Sequence, residues 1–119
     1  MASFGVVVGE RSASGRDDFV KYHAAAINIP SSAISRIESI SRDTGVFLVV
    51  GVIERDLGTL YCTAIFVSPE HGYSGKHRKL MPTALERVIW GQGRFWQIPN
   101  TTEPSAERIL QVTAAPFLL

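Results

Sequence analysis

The sequence has one cysteine, almost no excess charge and no long apolar run. Cys62 cannot form an internal disulfide, and no secretory signal pattern opens the chain, so we expect a reducing, cytoplasmic setting. The longest apolar run, residues 46–53, is far below the roughly 20 residues that a membrane-spanning helix needs. A formal net charge of +1 gives no field for gathering polyanions. Composition therefore argues against membrane and nucleic-acid partners.

The residues that are present suffice for one folded domain. The chain has 119 residues, of which 45% are apolar and 19% charged, as in globular proteins. Acids early in the segment and Pro30 at its end predict a first helix over residues 16–29. A second helix is predicted from Ser31 or Ser32 up to Gly45, with isoleucines along one side.

The middle of the chain has the pattern of a β-hairpin. A β-branched run at residues 46–53 predicts a strand covered on both faces, and residues 59–67 predict the returning strand. Residues 54–58, "ERDLG", predict the turn between them, and "KHRKL" after Gly75 predicts a third, edge strand. Helices followed by strands predict an α/β class in which helices layer on a sheet, and the helices can cover only one face.

The charged segment "KHRKL" supports two interpretations. In an extended strand, Lys76 and Arg78 share one face, while His77 and Lys79 share the other. These residues could form an exposed basic edge, because lysine commonly protects sheet edges from pairing. Alternatively, one lysine lies beside a reacting carbon, where a fixed cation stabilises developing negative charge. Spacing alone leaves both open.

Candidate site residues continue after this segment. Glu86 follows on a short helical turn opened by Pro82 and Thr83; it is either a solvated helix residue or a partner that orients the lysine and exchanges protons. The indole of Trp90 is a large flat ring that could form one wall of a pocket. The "GQG" that follows permits close backbone approach or positive φ, but without a Lys-Ser/Thr pair it is a weak phosphate loop.

The remaining reactive side chains, the cysteine and the histidines, do not have the spacing of an active site or a metal site. Cys62 lies mid-strand at the period-two spacing of an apolar face, which predicts a buried, inert thiol with a raised pKa. His23, His71 and His77 are too scattered for a metal site. We therefore expect no metal and no cofactor.

Three segments carry a resemblance to a known family. They are "GRDDFVKYHAAAINIP", "TGVFLVVGVIERDLGTLYCTAIFV" and above all "GKHRKLMPTALERVIWGQG". With their spacing, they resemble the nitrilase branch of the carbon-nitrogen hydrolase superfamily, from about residue 4 to about residue 99. The resemblance implies part of an αββα four-layer sandwich that is incomplete in this chain.

The resemblance also implies a chemistry. Family members use a Glu-Lys-Cys triad in which a thiolate attacks a nitrile carbon and an acyl-enzyme is later hydrolysed to the carboxylic acid. By motif, Lys79 is the triad lysine and Glu86 the additional glutamate of the pocket, with Trp90 as pocket wall. Cys62 matches a non-catalytic strand position. The implied substrate is a small-molecule nitrile, and no cofactor is implied.

The sequence also departs from the family pattern, and these departures bear on its function. The family's base glutamate lies upstream of the matching region, and its nucleophile lies in a "CWEN"-type stretch that we do not find here. Arg94 replaces an acid expected after "WGQG". We therefore predict a partial domain at residues 1–102, a divergent tail at residues 103–119, and a chain with no nitrilase turnover by itself.

Two interpretations of the whole chain remain. One is a fragment of a nitrilase-type hydrolase, from a truncated or frameshifted gene or from altered splicing. The alternative is a non-catalytic interaction protein that co-assembles with a full-length nitrilase. In either case half a sandwich exposes apolar strand faces, so we expect a homo-oligomer or a co-assembly rather than a monomer.

Overall fold

The computed structural model describes residues 12–94, apart from the side chain of Leu85. Within this range the chain forms two helices, three strands and one 3-10 turn. They are α1 (Ala13–Ala25), α2 (Ser32–Thr44), β1 (Leu48–Asp56), β2 (Thr59–Ser68), β3 (Gly72–Arg78) and the turn Ala84–Val88. No helix of this range is long and apolar enough to cross a membrane. The predicted tail at residues 103–119 lies outside the described residues.

Helix α1 lies earlier in the chain than the sequence predicts. The Ser12 side chain accepts a hydrogen bond from the backbone N of Gly15 at 3.1 Å and so caps the helix. The predicted start at residue 16 is therefore wrong, and the first turn contains no acid. The predicted end is wrong too, because Ile27 is extended and pairs with β1. Its N donates to the oxygen of Ile53 at 2.9 Å, and its oxygen accepts from Arg55 N at 2.7 Å.

Helix α2 confirms the predicted start and end. Ser31 occupies the N-cap position, and Gly45 ends the helix in the left-handed conformation, with φ 67°. Ile34 is buried against β2, but Ile40, predicted on the same side, is 52% exposed. Ser41 is the buried residue at that end of the helix, and its hydroxyl donates to the oxygen of Val46 at 2.7 Å.

The three strands form an antiparallel sheet in the order β1-β2-β3. β1 continues through residues 54–56, which the sequence assigns to the turn, because these residues complete the ladder with the start of β2. The turn is reduced to Leu57 and Gly58, and Leu57 has a φ of 54°. The predicted third strand is confirmed for "KHR", but β3 begins earlier, at Gly72, and ends at Arg78, before "KL".

The sheet has two faces that differ in what they carry. Directly paired residues of antiparallel strands point to the same face. The face covered by α2, called the helix face, carries Val52 and Glu54 of β1, Ile65 of β2, and Lys76 and Arg78 of β3. The opposite face, called the lysine face, carries Ile53, Cys62, Ala64, His77 and, just after β3, Lys79. The predicted separation of Lys76 and Arg78 from Lys79 is confirmed.

Candidate active site

Lys79 is held at the end of β3 by its backbone. Its N donates to the oxygen of Cys62 at 2.8 Å, and its oxygen accepts from the N of Gly93 at 3.0 Å. Its side chain is only 14% exposed, and those of Lys76 and Arg78 are 16% and 17% exposed. β3 is an edge strand of the sheet, but these three side chains are mostly buried, so the prediction that the basic edge is exposed is wrong.

Glu86 is the carboxylate partner of Lys79. The lysine Nζ lies 2.7 Å from Glu86 Oε2. The same oxygen accepts hydrogen bonds from the N of Thr83 at 2.7 Å and from its Oγ1 at 2.9 Å, which makes a capping box at the start of the 3-10 turn. Burial acts to raise the pKa of Glu86, but the hydrogen bonds from Lys79 and Thr83 outweigh it and lower this pKa. The site therefore holds an ionised carboxylate against the ammonium.

Trp90 forms one side of the surroundings of Lys79. The lysine Nζ lies 5.8 Å from the centre of the indole ring, within the range of a cation–π contact. The backbone N of Trp90 donates to the oxygen of Glu86 at 2.8 Å, which ties the ring to the same turn. At its far end, indole Nε1 donates to the hydroxyl of Tyr22 at 3.0 Å.

The "GQG" glycines allow the chain to pass close beside β2 and the end of β3. A Cβ at Gly91 would lie 2.7 Å from Cγ2 of Thr59, and a Cβ at Gly93 would lie 2.6 Å from the backbone oxygen of Arg78. Neither glycine has a positive φ. Of the two roles that the sequence leaves open, close backbone approach is the one the structure uses. It lets residues 90–93 return to β2 and support Lys79.

Cys62 lies half-buried on the lysine face, close enough to Lys79 and Glu86 to interact electrostatically. Burial raises the pKa of its thiol, the positive charge of Lys79 partly opposes this, and Glu86 adds to the rise. The predicted raised pKa is confirmed. A protonated thiol is a poor nucleophile, and the assignment of Cys62 as an inert thiol stays a prediction.

The helix face carries an ionic network that the sequence reasoning missed. Glu54, with only 1% of the residue exposed, accepts from Arg78 Nε at 2.9 Å and Nη2 at 2.6 Å, from Thr63 Oγ1 at 2.8 Å, and from Lys76. Arg78 also contacts Asp56 at 2.7 Å. We call these five residues the Glu54 cluster. The alternation of acids at 54 and 56 with cations at 76 and 78 was the available signal.

The cluster keeps Glu54 ionised. Burial alone acts to raise the pKa of this carboxyl. The hydrogen bonds from Arg78, Lys76 and Thr63 outweigh it and lower the pKa to about 2. Arg78 in turn lies over the ring of Tyr61, with 3.8 Å between guanidinium carbon and ring centre.

Tyr22 of α1, whose hydroxyl accepts from the Trp90 indole, is the other residue of the site that the sequence did not point to. Within residues 12–94 no group of three or more His, Cys, Asp or Glu side chains could hold a metal ion. The described site thus consists of Lys79, Glu86, Trp90, Tyr22 and Cys62.

Comparison with known proteins identifies the family. The family model for carbon-nitrogen hydrolase matches residues 4–113. The chain belongs to the carbon-nitrogen hydrolase family. It is 61% identical over 116 residues to an arylacetonitrilase of Trametes versicolor, covering 98% of this chain and 35% of that protein. It is 52% identical over 101 residues to nitrilase 1 of Arabidopsis thaliana, covering 85% of this chain and 29% of the relative.

A comparison of structures finds an N-terminal amidase at 22% identity and a TM-score of 0.48, covering 61% of this chain and 17% of that one. The resemblance to nitrilases is confirmed by the family and its relatives, and the mixed α/β arrangement agrees with part of a nitrilase-like fold. The chain spans about a third of the length of the curated relatives it matches. The carbon-nitrogen hydrolase match continues past Thr102, and the domain boundary placed there stays a prediction.

Proposed function

We propose that residues 12–94 form the lysine side of a nitrilase active site. Lys79 supplies the positive charge, Glu86 positions it, and Trp90 is the pocket wall beside it. The observation that carries the proposal is the 2.7 Å contact between Lys79 Nζ and Glu86 Oε2, in a place where the lysine side chain is 14% exposed. A cation fixed in a water-poor site stabilises developing negative charge far better than one in bulk water.

The chemistry assigns each group a role. Attack of a thiolate on a nitrile carbon pushes negative charge onto the nitrile nitrogen, and later tetrahedral intermediates carry negative charge near the same point. Lys79 is the group that meets this charge. Glu86, with its lowered pKa, stays ionised at neutral pH and keeps the ammonium in place. The substrate class is a small-molecule nitrile, and the names of the relatives from Trametes versicolor and Arabidopsis thaliana support it.

A segment exchange tests the proposal. Residues 4–113 replace the matching segment of the arylacetonitrilase of Trametes versicolor, and ammonia release from phenylacetonitrile is measured in this exchanged enzyme. We expect turnover, and we expect Lys79→Met to lower kcat by roughly 100- to 1,000-fold, as loss of a group that stabilises the transition-state charge does. The control is Lys21→Met, because Lys21 is 70% exposed on α1. Turnover that survives Lys79→Met would contradict the proposal.

The 119-residue chain alone is proposed to have no turnover. Its only cysteine is Cys62, whose thiol has a raised pKa, and a nitrilase needs a thiolate to form the thioimidate. The measurement is ammonia release from a panel of aliphatic and aromatic nitriles. Release in proportion to the purified chain would contradict this part of the proposal.

A second candidate function is non-catalytic co-assembly with a full-length nitrilase. The sheet favours it, because among residues 12–94 no strand pairs with the outer side of β3, and Ile27 covers only the end of β1. Unpaired edges are templates for another chain. We expect the chain to form a homo-oligomer or to co-purify with a full-length nitrilase from the cytoplasm. A single monomer peak on size exclusion, with cooperative unfolding and no co-purification, would contradict it.

A further inference from the structure

Helix α1 reaches the candidate site through the side chain of Tyr22. The hydroxyl of Tyr22 lies 3.0 Å from indole Nε1 of Trp90, although 68 positions separate the two residues. Both side chains are half-buried. A half-buried indole N–H that lost its acceptor would leave a donor poorly satisfied, so this hydrogen bond is worth more than one on the surface.

The hydrogen bond to Tyr22 fixes the side-chain orientation of Trp90, which the backbone bonds leave free. The N of Trp90 donates to Glu86, and the N of Gly91 donates to the oxygen of Leu60 at 2.8 Å, so the main chain is anchored at this point. These bonds place the Cα of Trp90 but do not select its side-chain torsions, for which several staggered states exist. Tyr22 holds the far end of the ring and therefore selects among them.

The orientation of the ring matters to Lys79. The ammonium lies 2.7 Å from Glu86 Oε2 and 5.8 Å from the centre of the indole ring. A rotated indole would remove the ring from one side of the ammonium and open that side to water, which weakens an electrostatic contact. We propose that Tyr22 is a positioning residue of the active site, whose hydroxyl holds the Trp90 indole against Lys79. This inference rests on the proposed function.

The protonation of Tyr22 suits this role. Burial raises the pKa of its hydroxyl, the hydrogen bond with Trp90 opposes this, and Cys62 and Glu86, in their ionised forms, raise it further. The phenol therefore stays neutral at neutral pH. It accepts the indole hydrogen bond without adding a second negative charge beside Glu86.

The indole N–H signals of the 119-residue chain test the contact directly. The chain has two tryptophans, Trp90 and Trp96, so a nitrogen-15 spectrum has two indole signals, and Trp96→Phe tells them apart. We expect Tyr22→Phe to move the Trp90 indole signal upfield and to speed its exchange with solvent, because its acceptor is gone. The backbone amide signals of the sheet should stay in place.

The matched control is Tyr73→Phe, which removes the same atom from a tyrosine packed on the helix face. It should leave the Trp90 indole signal unchanged. An indole signal that ignores Tyr22→Phe, or that moves equally with Tyr73→Phe, would overturn the proposal. If Tyr22→Phe does not fold, the contact is tested in the unsubstituted chain instead. A nuclear Overhauser effect between the Trp90 indole proton and the Tyr22 ring supports the proposal, and its absence overturns it.

Activity of the exchanged enzyme tests the consequence. We expect Tyr22→Phe to lower kcat/KM by roughly 2- to 10-fold, the worth of one hydrogen bond, with the loss mainly in kcat because the aligned charge acts on the transition state. Unchanged kinetics in an active exchanged enzyme would overturn the positioning role. An inactive exchanged enzyme would instead contradict the proposed function, while the indole signals would still decide whether Tyr22 holds Trp90.

Discussion

Arg78 and Lys79 are neighbours in the chain and carry the same charge, yet they lie on opposite faces of the sheet and have different surroundings. Arg78 donates to Glu54 through two nitrogens and to Asp56, and it lies over Tyr61. The hydrogen bond to Glu54 above all raises the pKa of Arg78. Lys79 has one carboxylate partner, Glu86, within the described residues.

In the proposed function, this difference separates a structural cation, Arg78, from one that acts on a substrate, Lys79. An ammonium has three N–H donors, and Glu86 takes one of them. The guanidinium of Arg78 is engaged by two acids on a face covered by α2. Because side chains alternate along a strand, Arg78, which is engaged by two acids, is followed on the other face by Lys79, which has one carboxylate partner among the described residues.

The largest effect on stability is expected from removing the centre of the Glu54 cluster. Glu54→Ala leaves Lys76 and Arg78 in a mostly buried place without their shared carboxylate, which costs about 3 to 5 kcal/mol in the free energy of unfolding. Urea denaturation of the chain measures it. The control is Glu70→Ala, because the Glu70 side chain is 81% exposed. A change below about 1 kcal/mol, as for a surface pair, would contradict the structural role of the cluster.

Lowering the pH should reduce the stability that the Glu54 cluster gives to the folded chain. The pKa of Glu54 is about 2 in the folded chain against an ordinary value of 4.5, so between these values the unfolded chain binds more protons. Stability is therefore present above pH 4.5 and is lost as the pH falls towards 2, by on the order of 3 kcal/mol. Denaturation midpoints across this window measure it. Glu54→Gln should flatten the slope, and a variant slope equal to the original would contradict the assignment.

A smaller effect is expected where the "GQG" segment crosses the end of β3. Gly93→Ala would place a Cβ 2.6 Å from the oxygen of Arg78 and 2.9 Å from that of Lys79. Relief of such a clash costs about 1 to 3 kcal/mol. Gly51→Ala, where no atom lies within 4 Å, is the control for denaturation measurements. Equal stability of the two variants would show that this crossing does not constrain Lys79.

The smallest effect is expected at Cys62. Cys62→Ala removes a half-buried thiol with a raised pKa, so we expect a loss of about 1 kcal/mol in stability and no loss of turnover in the exchanged enzyme. Denaturation and ammonia release measure the two quantities. A folded variant without turnover would mean that the lysine face contains a reacting sulfur.

Alternation along one strand and a local cap were predictable from the sequence. The separation of Lys76 and Arg78 from Lys79 follows from strand geometry, and the turn at Thr83 and Glu86 follows from capping chemistry. Contacts between distant segments were not predictable in this way.

The Tyr22–Trp90 hydrogen bond joins positions 68 apart, and no local pattern encodes it. Glu54 was assigned to a turn because "ERDLG" has turn composition; the cations of β3 and the pairing of Arg55 with Ile27 keep this segment in the strand. Helix α1 begins earlier than predicted because Ser12 caps it. The acids at 17 and 18, read as the first turn, led to the later predicted start.

The comparison between the two faces is tested most directly by Lys79→Met and Lys76→Met in the exchanged enzyme, with turnover and stability measured on both. We expect Lys79→Met to lower ammonia release by roughly 100- to 1,000-fold and to shift the denaturation midpoint less than Lys76→Met does, because Glu86 keeps its two hydrogen bonds from Thr83. Lys76→Met should lower the midpoint, because Glu54 loses a partner, and leave kcat of the folded enzyme in place. The reverse pattern, with turnover lost at Lys76 and kept at Lys79, would contradict it.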